Sequence, residues 1–250
     1  MSVSQEKTLA IFGIGGCCKA VLHQALAAGN KVNVLVRTPS KLSDIAAQYP
    51  NNLHIVQGDI SSVSAIKQAL ISDGQVVDMI LSGIGMAMKM KGLGFTSEQP
   101  NVCEDTARNI LTALDELDKD GAIKSKLGGP RLVLISSTGI STKVRDIPIA
   151  MMPLYHWMLK IPHEDKMKME KLVCASGRKW VLVRPSWLLD GKAKGIASVR
   201  VGVDNPNDGQ IGKNVVGYAI DREDVGNWIF KECFEGSGEE WEGKIVTLTY

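Results

Sequence analysis

The fold is decided by residues 9–22, which read LAIFGIGGCCKAVL. They open on a continuous apolar run, Leu9 to Phe12, which is typical of a strand covered on both faces. Three glycines follow at positions 13, 15 and 16, and apolar residues then recur at helical spacing up to Leu26. Gly29 comes after the last periodic residue, where a left-handed backbone conformation ends a helix. The pattern therefore predicts a strand, a glycine turn and a helix in direct succession.

The alternation of strand and helix patterns continues along the chain. Strand patterns occupy residues 32–36, 53–56, 76–81, 132–135 and 180–183. Helical patterns occupy residues 63–70, 103–114, 166–175 and 225–229, and Asp221 is placed to cap the last of them. Strands separated by helices favour a parallel sheet with helices on both faces. We therefore predict an α/β chain with a doubly wound parallel sheet, in a single domain over residues 1–250.

Three segments interrupt the alternation: 83–100, 139–163 and 188–217. Each follows a predicted strand, and ligands of open α/β sheets lie beyond the carboxyl ends of the strands. We therefore expect these segments to form the substrate side. The second segment is rich in large apolar residues, which either pack against the sheet or form the wall of an apolar pocket: Ile147, Ile149, Met151, Met152, Leu154, Tyr155, Trp157 and Met158.

The composition excludes several classes of protein. Apolar residues make up 44% of the 250 residues, charged residues make up 22%, and the formal net charge is +2. This charge is too small for a dedicated nucleic-acid surface, and the apolar runs are shorter than the roughly 20 residues of a membrane span. The five scattered cysteines contain no C-x-x-C pair, which is typical of a reducing compartment. We expect a cytoplasmic protein without nucleic-acid or membrane partners, and the four histidines lack the spacing of a metal site.

The glycine turn, residues 13–16, lies between the first predicted strand and the first predicted helix. Glycines there let backbone N–H groups approach a pyrophosphate, and the helix dipole favours its negative charge. We therefore predict that a dinucleotide binds at Gly13, Gly15, Gly16 and Cys17.

A basic residue, Arg37, follows the second strand near the position where the adenosine ribose of a dinucleotide is recognised. An acidic residue there would accept a hydrogen bond from a ribose hydroxyl and repel a 2′-phosphate. Arg37, with Thr38, Ser40 and Lys41, would bind that phosphate instead. These residues predict NADP(H) rather than NAD(H). The alternative is that Arg37 and Lys41 belong to a solvated loop.

The stretches FGIGG (12–16), LVRTPSKL (35–42) and GDI (58–60) resemble those of the atypical short-chain dehydrogenase/reductases. Within that family they are similar to the NmrA-like proteins and to the flavin reductase (biliverdin reductase B) group. The resemblance extends over nearly the whole chain, including residues 221–225. It implies a Rossmann fold with further cofactor contacts: Asp59 and Ile60 near the adenine, Ser82 and Gly83 near the ribose on the nicotinamide side, and Pro185 and Ser186 near the carboxamide.

Two positions depart from the family pattern. The glycine turn of the family usually carries a third glycine, but here Lys19 occupies its position, and its side chain must point away from the sheet or push the helix outward. By the resemblance, Lys166 matches the lysine of the Tyr-x-x-x-Lys pair, whereas the tyrosine position is Pro162. Proline has no ionisable group, so the usual phenol proton donor is missing.

The remaining candidates for catalysis are Ser137, Lys166 and His163. By the resemblance, Ser137 would donate a hydrogen bond to the substrate. If the acceptor is a conjugated system, hydride adds to its ring and solvent delivers the proton. If a carbonyl is reduced, an acid must lie nearby, and its candidates also include Tyr155 and His156.

Three functions fit these features. The first is an NADPH-dependent reductase that transfers hydride to a conjugated or aromatic small molecule in an apolar pocket. The second is an NADP(H)-sensing regulatory protein, similar to the NmrA-like proteins, without turnover. The third is a non-redox isomerase, cyclase or dehydratase of secondary metabolism on the same fold. The missing tyrosine permits all three, and the apolar segment 139–163 favours an enzyme pocket. The sequence leaves the oligomeric state open.

Overall fold

A mostly parallel sheet runs through the centre of the protein. The computed structural model describes residues 6–87, 89–91, 94–121, 129–206 and 212–250. Within them, the central sheet has eight strands, which are in spatial order β12 (Arg200–Asp204), β14 (Lys244–Thr249), β10 (Trp180–Pro185), β9 (Arg131–Ile135), β6 (Met79–Ser82), β1 (Thr8–Phe12), β2 (Lys31–Val36) and β3 (Leu53–Gln57). Neighbouring strands are parallel except for β12, which pairs antiparallel with β14.

Helices cover both faces of the sheet. They are α1 (Gly16–Ala27) and α7 (Arg222–Trp228) on one face, α3 (Val63–Leu70), α4 (Val102–Lys119) and α6 (Lys160–Cys174) on the other, and the shorter α2 (Ser43–Gln48) and α5 (Met152–Met158). Each face of the sheet has its own hydrophobic core, and alternate residues of β1 point into one or the other. Leu9 and Ile11 pack with α1, whereas Ala10 and Phe12 pack with α4. This arrangement confirms the predicted Rossmann-type fold. None of the helices in the described part of the chain has the length and apolar character of a membrane span.

The strand predicted over residues 76–81 is wrong in its extent. The chain first forms a small antiparallel pair, β4 (Ile71–Ser72) with β5 (Gln75–Val76), and β6 begins only at Met79. The break lies at Asp78, whose carboxylate accepts hydrogen bonds from the backbone N–H of Thr8 at 2.8 Å and from its hydroxyl at 2.9 Å. The Asp78 side chain is therefore hydrogen-bonded to the first residue of β1, and β6 begins at the next residue, Met79.

The three segments predicted for the substrate side contain secondary structure of their own. Segment 83–100 includes an antiparallel pair, β7 (Lys89–Lys91) with β8 (Gly94–Thr96). Segment 139–163 includes α5 and the start of α6, so the helix predicted over residues 166–175 begins six residues earlier, at Lys160. Segment 188–217 begins inside β11 (Trp187–Leu189), which pairs with β13 (Ala219–Asp221), and it includes β12. Residues 88, 92, 93 and 207–211 of these segments lie outside the described residues.

Acidic side chains satisfy the first turns of two helices. As predicted, Asp221 caps α7, since its carboxylate accepts a hydrogen bond from the backbone N–H of Glu223 at 2.9 Å. Helix α4 is capped from a different helix, because Asp165 of α6 accepts bonds from the backbone N–H groups of Cys103 and Glu104, both at 2.9 Å. Beyond the end of α1, Gly29 has a φ of +80°, which confirms the predicted left-handed position.

Candidate functional site

The glycine turn lies at the carboxyl end of β1, in the middle of the sheet. Gly13 has a φ of +88°, which favours glycine, and a Cβ at this position would stand 3.0 Å from Cδ1 of Ile84. The space beside Gly15 is open, since no atom of the described residues lies within 4 Å of where its Cβ would stand. The first helical bond of α1 runs from the N–H of Lys19 to the carbonyl of Gly15 at 2.8 Å. The start of α1 is therefore accessible, as the binding of a phosphate group requires.

The departure at Lys19 does not displace α1. The side chain of Lys19 is exposed, so it points away from the sheet. Close packing is provided by Gly226 of α7, where a Cβ would stand 2.5 Å from the carbonyl oxygen of Cys17 and 2.6 Å from Cβ of Ala20. Helices α1 and α7 therefore touch directly after the glycine turn.

A cavity of about 520 Å³ opens beside the glycine turn, at the carboxyl ends of β1, β2 and β3. Six of the predicted cofactor residues line it: Gly13, Arg37, Thr38, Lys41, Asp59 and Ile60. The apolar walls of the cavity were not predicted from the sequence: Ile14, Leu35, Val36, Ile84 and Val102. The first three belong to the motifs already quoted, so the signal was present there. Val102 comes from the start of α4, and nothing in its local sequence links it to this cavity.

The charged residues of this cavity are available to a ligand. Arg37, Thr38 and Lys41 are all exposed. The backbone N–H of Ser61 donates a hydrogen bond to Asp59 at 2.9 Å, which lowers the pKa of that carboxyl, and the charge of Arg37 lowers it further. The cavity therefore presents two cations beside one ionised carboxylate at neutral pH.

The other predicted cofactor residues, Gly15, Gly16, Cys17, Ser82, Gly83, Pro185 and Ser186, do not line this cavity. Gly15 and Gly16 are exposed, whereas Cys17, Ser82 and Ser186 are buried. Burial raises the pKa of the Cys17 thiol to about 12, so it stays protonated at neutral pH. The hydroxyl of Ser186 donates to Oγ1 of Thr249 at 2.9 Å. The side chains of Cys17 and Ser186 are therefore committed to the protein interior, which leaves their backbone for any contact with a cofactor.

Two of the predicted catalytic residues lie at the carboxyl end of β9. Ser137 is half-buried just beyond that strand, and its hydroxyl donates to the carbonyl of Thr138 at 3.0 Å. Lys166 is buried, and its Nζ donates to the carbonyls of Ile84, at 3.1 Å, and of Ile135. Ile135 ends β9 and Ile84 follows β6, so the Lys166 ammonium bridges the ends of two adjacent strands.

A buried polar cluster lies beside Ser137, formed by Thr138, Asp146, Tyr155 and His163, which we call the lid cluster. The rings of Tyr155 and His163 lie 5.6 Å apart, and a Cβ on Gly139 would stand 2.6 Å from Cδ1 of Tyr155. Tyr155 shares a hydrogen bond with the Thr138 side chain, and both carboxylate oxygens of Asp146 accept from the N–H of Gly139 at 3.0 Å. His163 ends the segment 139–163 that interrupts the predicted alternation, but it lies on α6, which begins at Lys160.

Burial raises the pKa of both acids in the lid cluster. For Asp146 the N–H of Gly139 opposes the rise, and for Tyr155 the hydrogen bond to Thr138 does so. Both groups therefore hold their protons to higher pH than they would in water. Thr138 and Asp146 were not predicted from the sequence, since no regular spacing connects them. The side chains of the candidates Leu154 and His156 lie outside the described part of the structure.

The comparison with protein families decides the family of this chain. A family described as NAD(P)H-binding matches residues 13–235. The chain belongs to this NAD(P)H-binding family. The match starts at Gly13 of the glycine turn and includes Arg37, Asp59 and the lid cluster.

Two curated relatives of this NAD(P)H-binding protein extend over its full length. The reductase pytE of Aspergillus terreus is 40% identical, covering 99% of each chain. The oxidase pynE of Aspergillus niger is 32% identical, covering 98% of this chain and 99% of the relative. The family and these relatives support nicotinamide dinucleotide binding and a reductase-type oxidoreductase function.

Solved structures share the fold of this NAD(P)H-binding protein. A short-chain dehydrogenase/reductase from Veillonella parvula, in complex with NADP, has a TM-score of 0.72 at 13% identity, over 98% of this chain and 94% of its own. The chuY protein of E. coli CFT073 has a TM-score of 0.61 at 17% identity, over 97% and 96% of the two chains. Together with the family match, these structures confirm the predicted resemblance to short-chain dehydrogenase/reductases.

Proposed function

We propose that this protein is an NADPH-dependent reductase that transfers hydride to a conjugated or aromatic small molecule. The observation that carries the preference for NADPH is the exposed group Arg37, Thr38 and Lys41 at the end of β2, which lines the cavity beside the glycine turn. A guanidinium and an ammonium there fit a 2′-phosphate, whereas recognition of NADH commonly uses a carboxylate at this position.

Different residues would bind different parts of the dinucleotide. The backbone at Gly13, Gly15 and Gly16 would hold the pyrophosphate, and Asp59 and Ile60 line the cavity where the resemblance puts the adenine. When bound, the nicotinamide supplies the hydride. Holding the acceptor in place against it is the main task of the protein, and positioning of this kind lowers a barrier by several kcal/mol.

Lys166 has a different role from that of a catalytic lysine. Its Nζ donates to the carbonyls of Ile84 and Ile135, so its positive charge is directed at the backbone of two strand ends. With Pro162 at the tyrosine position, this geometry supports a reaction without the usual phenol. A conjugated acceptor suits such a site, because hydride adds to it directly and water completes the protonation.

The lid cluster is the source of a proton if the acceptor needs one from the protein. Tyr155 and Asp146 both have a raised pKa and lie beside Gly139, two residues after Ser137. Ser137 would donate a hydrogen bond to the acceptor in exchange for the carbonyl of Thr138, to which its hydroxyl donates at 3.0 Å. Tyr155 also contacts Trp187, with ring centroids 6.1 Å apart, so an aromatic wall stands next to these groups.

The proposed partner is a small apolar molecule rather than a nucleic acid or a membrane. Ile149 and Trp157, on the segment after Ser137, are exposed by 69% and 63% and provide an apolar surface near the lid cluster. All five cysteines are free thiols, which supports a cytoplasmic location.

Two measurements test the proposal. Calorimetric titration of the protein with NADP⁺ and NAD⁺ is expected to give tighter binding of NADP⁺, and tighter binding of NAD⁺ would contradict the assignment of Arg37. The absorbance of NADPH is then followed while flavins, quinones and enones are added, and its decrease supports the reductase. Binding without consumption of NADPH would indicate a sensor, and product formation without its oxidation would indicate a non-redox enzyme.

A further inference from the structure

Arg222, the first residue of α7, lies directly over the glycine turn. A Cβ on Gly16 would stand 2.6 Å from Cδ of Arg222 and 3.0 Å from its Cβ. The charge of Arg222 also reaches the neighbouring Cys17, where it opposes the rise in thiol pKa that burial causes. A guanidinium therefore lies at the start of α1, where the glycine turn would hold a pyrophosphate.

The present partner of Arg222 is easily exchanged. Nη1 of Arg222 donates to Asp190 at 2.7 Å, and a longer contact of 3.4 Å joins it to the carbonyl of Leu188. The Asp190 side chain is 81% exposed and that of Arg222 is 31% exposed. An ion pair so open to water contributes little to stability, and a guanidinium binds phosphate oxygens at least as well as a carboxylate.

The loop that carries Asp190 does not depend on this ion pair. The backbone N–H of Gly191 donates to Asp221 at 2.7 Å, and that of Lys194 donates to Asp224 at 2.7 Å. Asp224 is fully buried, so this attachment is protected from water. Arg222 can therefore leave Asp190 while the loop stays attached to α7.

We propose that Arg222 is a pyrophosphate ligand, and that it exchanges Asp190 for the pyrophosphate when a nicotinamide dinucleotide binds. This inference rests on the proposed function, because it requires a dinucleotide at the glycine turn. Asp190 competes for the guanidinium, so its carboxylate opposes binding. The pyrophosphate is common to NADP(H) and NAD(H), so Arg222 strengthens the affinity for both, whereas Arg37 acts on NADP(H) alone.

Calorimetric titration with NADP⁺ and with NAD⁺ tests this assignment in two variants. Arg222→Gln keeps a stem over Gly16 but removes the charge, and we expect it to weaken the binding of both dinucleotides by about tenfold. Asp190→Asn removes the competing carboxylate, and we expect it to strengthen the binding of both by about twofold or more. A merely structural role of the ion pair would weaken binding in both variants. Thermal unfolding reports whether each variant is folded. If Arg222→Gln does not fold, the binding affinities of Asp190→Asn decide whether Arg222 is a pyrophosphate ligand.

Arg37→Gln is the matched control, since it removes a different guanidinium, the one after β2 that lines the cavity beside the glycine turn. It is expected to weaken the binding of NADP⁺ much more than that of NAD⁺. The assignment is overturned if folded Arg222→Gln binds both dinucleotides within twofold of the unmodified protein, or if Asp190→Asn fails to strengthen binding. If the unmodified protein binds neither dinucleotide, the proposed function fails, and the role of Arg222 fails with it.

Discussion

The two halves of the site are built on opposite principles. The half at the ends of β1, β2 and β3 presents bare backbone and the exposed cations Arg37 and Lys41. The half beside Ser137 buries its ionisable groups, and burial raises the pKa of Asp146 and Tyr155. Solvated groups keep their charge for recognition, whereas buried groups keep their protons and are bonded to the surrounding fold. Substitutions of the exposed side chains in the first half should therefore change ligand affinity with little effect on the free energy of unfolding. Substitutions of the buried groups in the second half should lower the free energy of unfolding.

The strongest test of this contrast is the ion pair that anchors α6 beneath the second half. Arg184 of β10 donates to Glu170 from Nε, at 2.9 Å, and from Nη2, and both side chains are 8% exposed. Glu170→Gln leaves the Arg184 charge buried without its counter-ion. We expect the free energy of unfolding, measured by urea denaturation, to fall by about 3 kcal/mol.

The control for this variant is an exposed pair on the surface. Lys67 donates to Asp120 at 3.2 Å, with side chains exposed by 27% and 62%. Asp120→Asn is expected to cost less than about 1 kcal/mol. Equal losses in the two variants would show that the region beneath the lid cluster is no more tightly bonded than the surface.

The contrast is sharpened by reversing a charge in the first half. Arg37→Asp places a carboxylate where it repels a 2′-phosphate and accepts a hydrogen bond from a ribose hydroxyl. We expect the ratio of NADPH affinity to NADH affinity, measured by fluorescence titration, to fall roughly 100-fold, about 2.7 kcal/mol. The urea midpoint should be unchanged, because Arg37 is exposed. An unchanged affinity ratio would show that Arg37 does not bind the 2′-phosphate and is a solvated loop residue.

The glycine turn is the part of the first half that does bear on stability. Gly13→Ala forces a side chain into a φ of +88° and against Ile84, and we expect it to cost about 1 to 2 kcal/mol of unfolding free energy. Gly15→Ala is the matched substitution, since its φ is −67° and the space around it is open. Urea denaturation should find it close to neutral. If both variants lose the same stability, the strain is not specific to Gly13.

The smallest expected effect is the pH dependence that Asp146 contributes. Its pKa in the folded protein lies above the usual carboxyl value because of burial, so the folded state keeps the proton to higher pH than the unfolded state. The free energy of unfolding should therefore decrease as pH rises through the interval between the two pKa values. Asp146→Asn should lack this component of the slope, measured by urea denaturation over a pH series. A wild-type component of opposite sign would mean that the N–H of Gly139 outweighs burial.

The sequence predicts the first half of the site better than the second, for a physical reason. Gly13 and Arg37 directly follow a strand, and Asp59 comes two residues after the end of β3, so local patterns place all three at the same sheet edge. The residues of the lid cluster are up to 25 positions apart in the sequence. The Asp146 carboxylate accepts from the backbone N–H of Gly139, and a bond to a backbone group cannot be recognised from residue types. For the same reason, the burial of Lys166 between two strand ends was not predictable, nor was the cap that Asp165 provides to α4.

Asp165 and Lys166 are neighbours on α6, and between them they bond the backbone of α4, of β9 and of the chain after β6. Natural selection for a foldable protein is enough to keep such a lysine, whatever the reaction. The backbone bonds of Lys166 thus give this lysine an architectural role that does not require a tyrosine at position 162. The presence of a lysine at this position is therefore not, by itself, evidence for proton transfer through a Tyr-x-x-x-Lys pair.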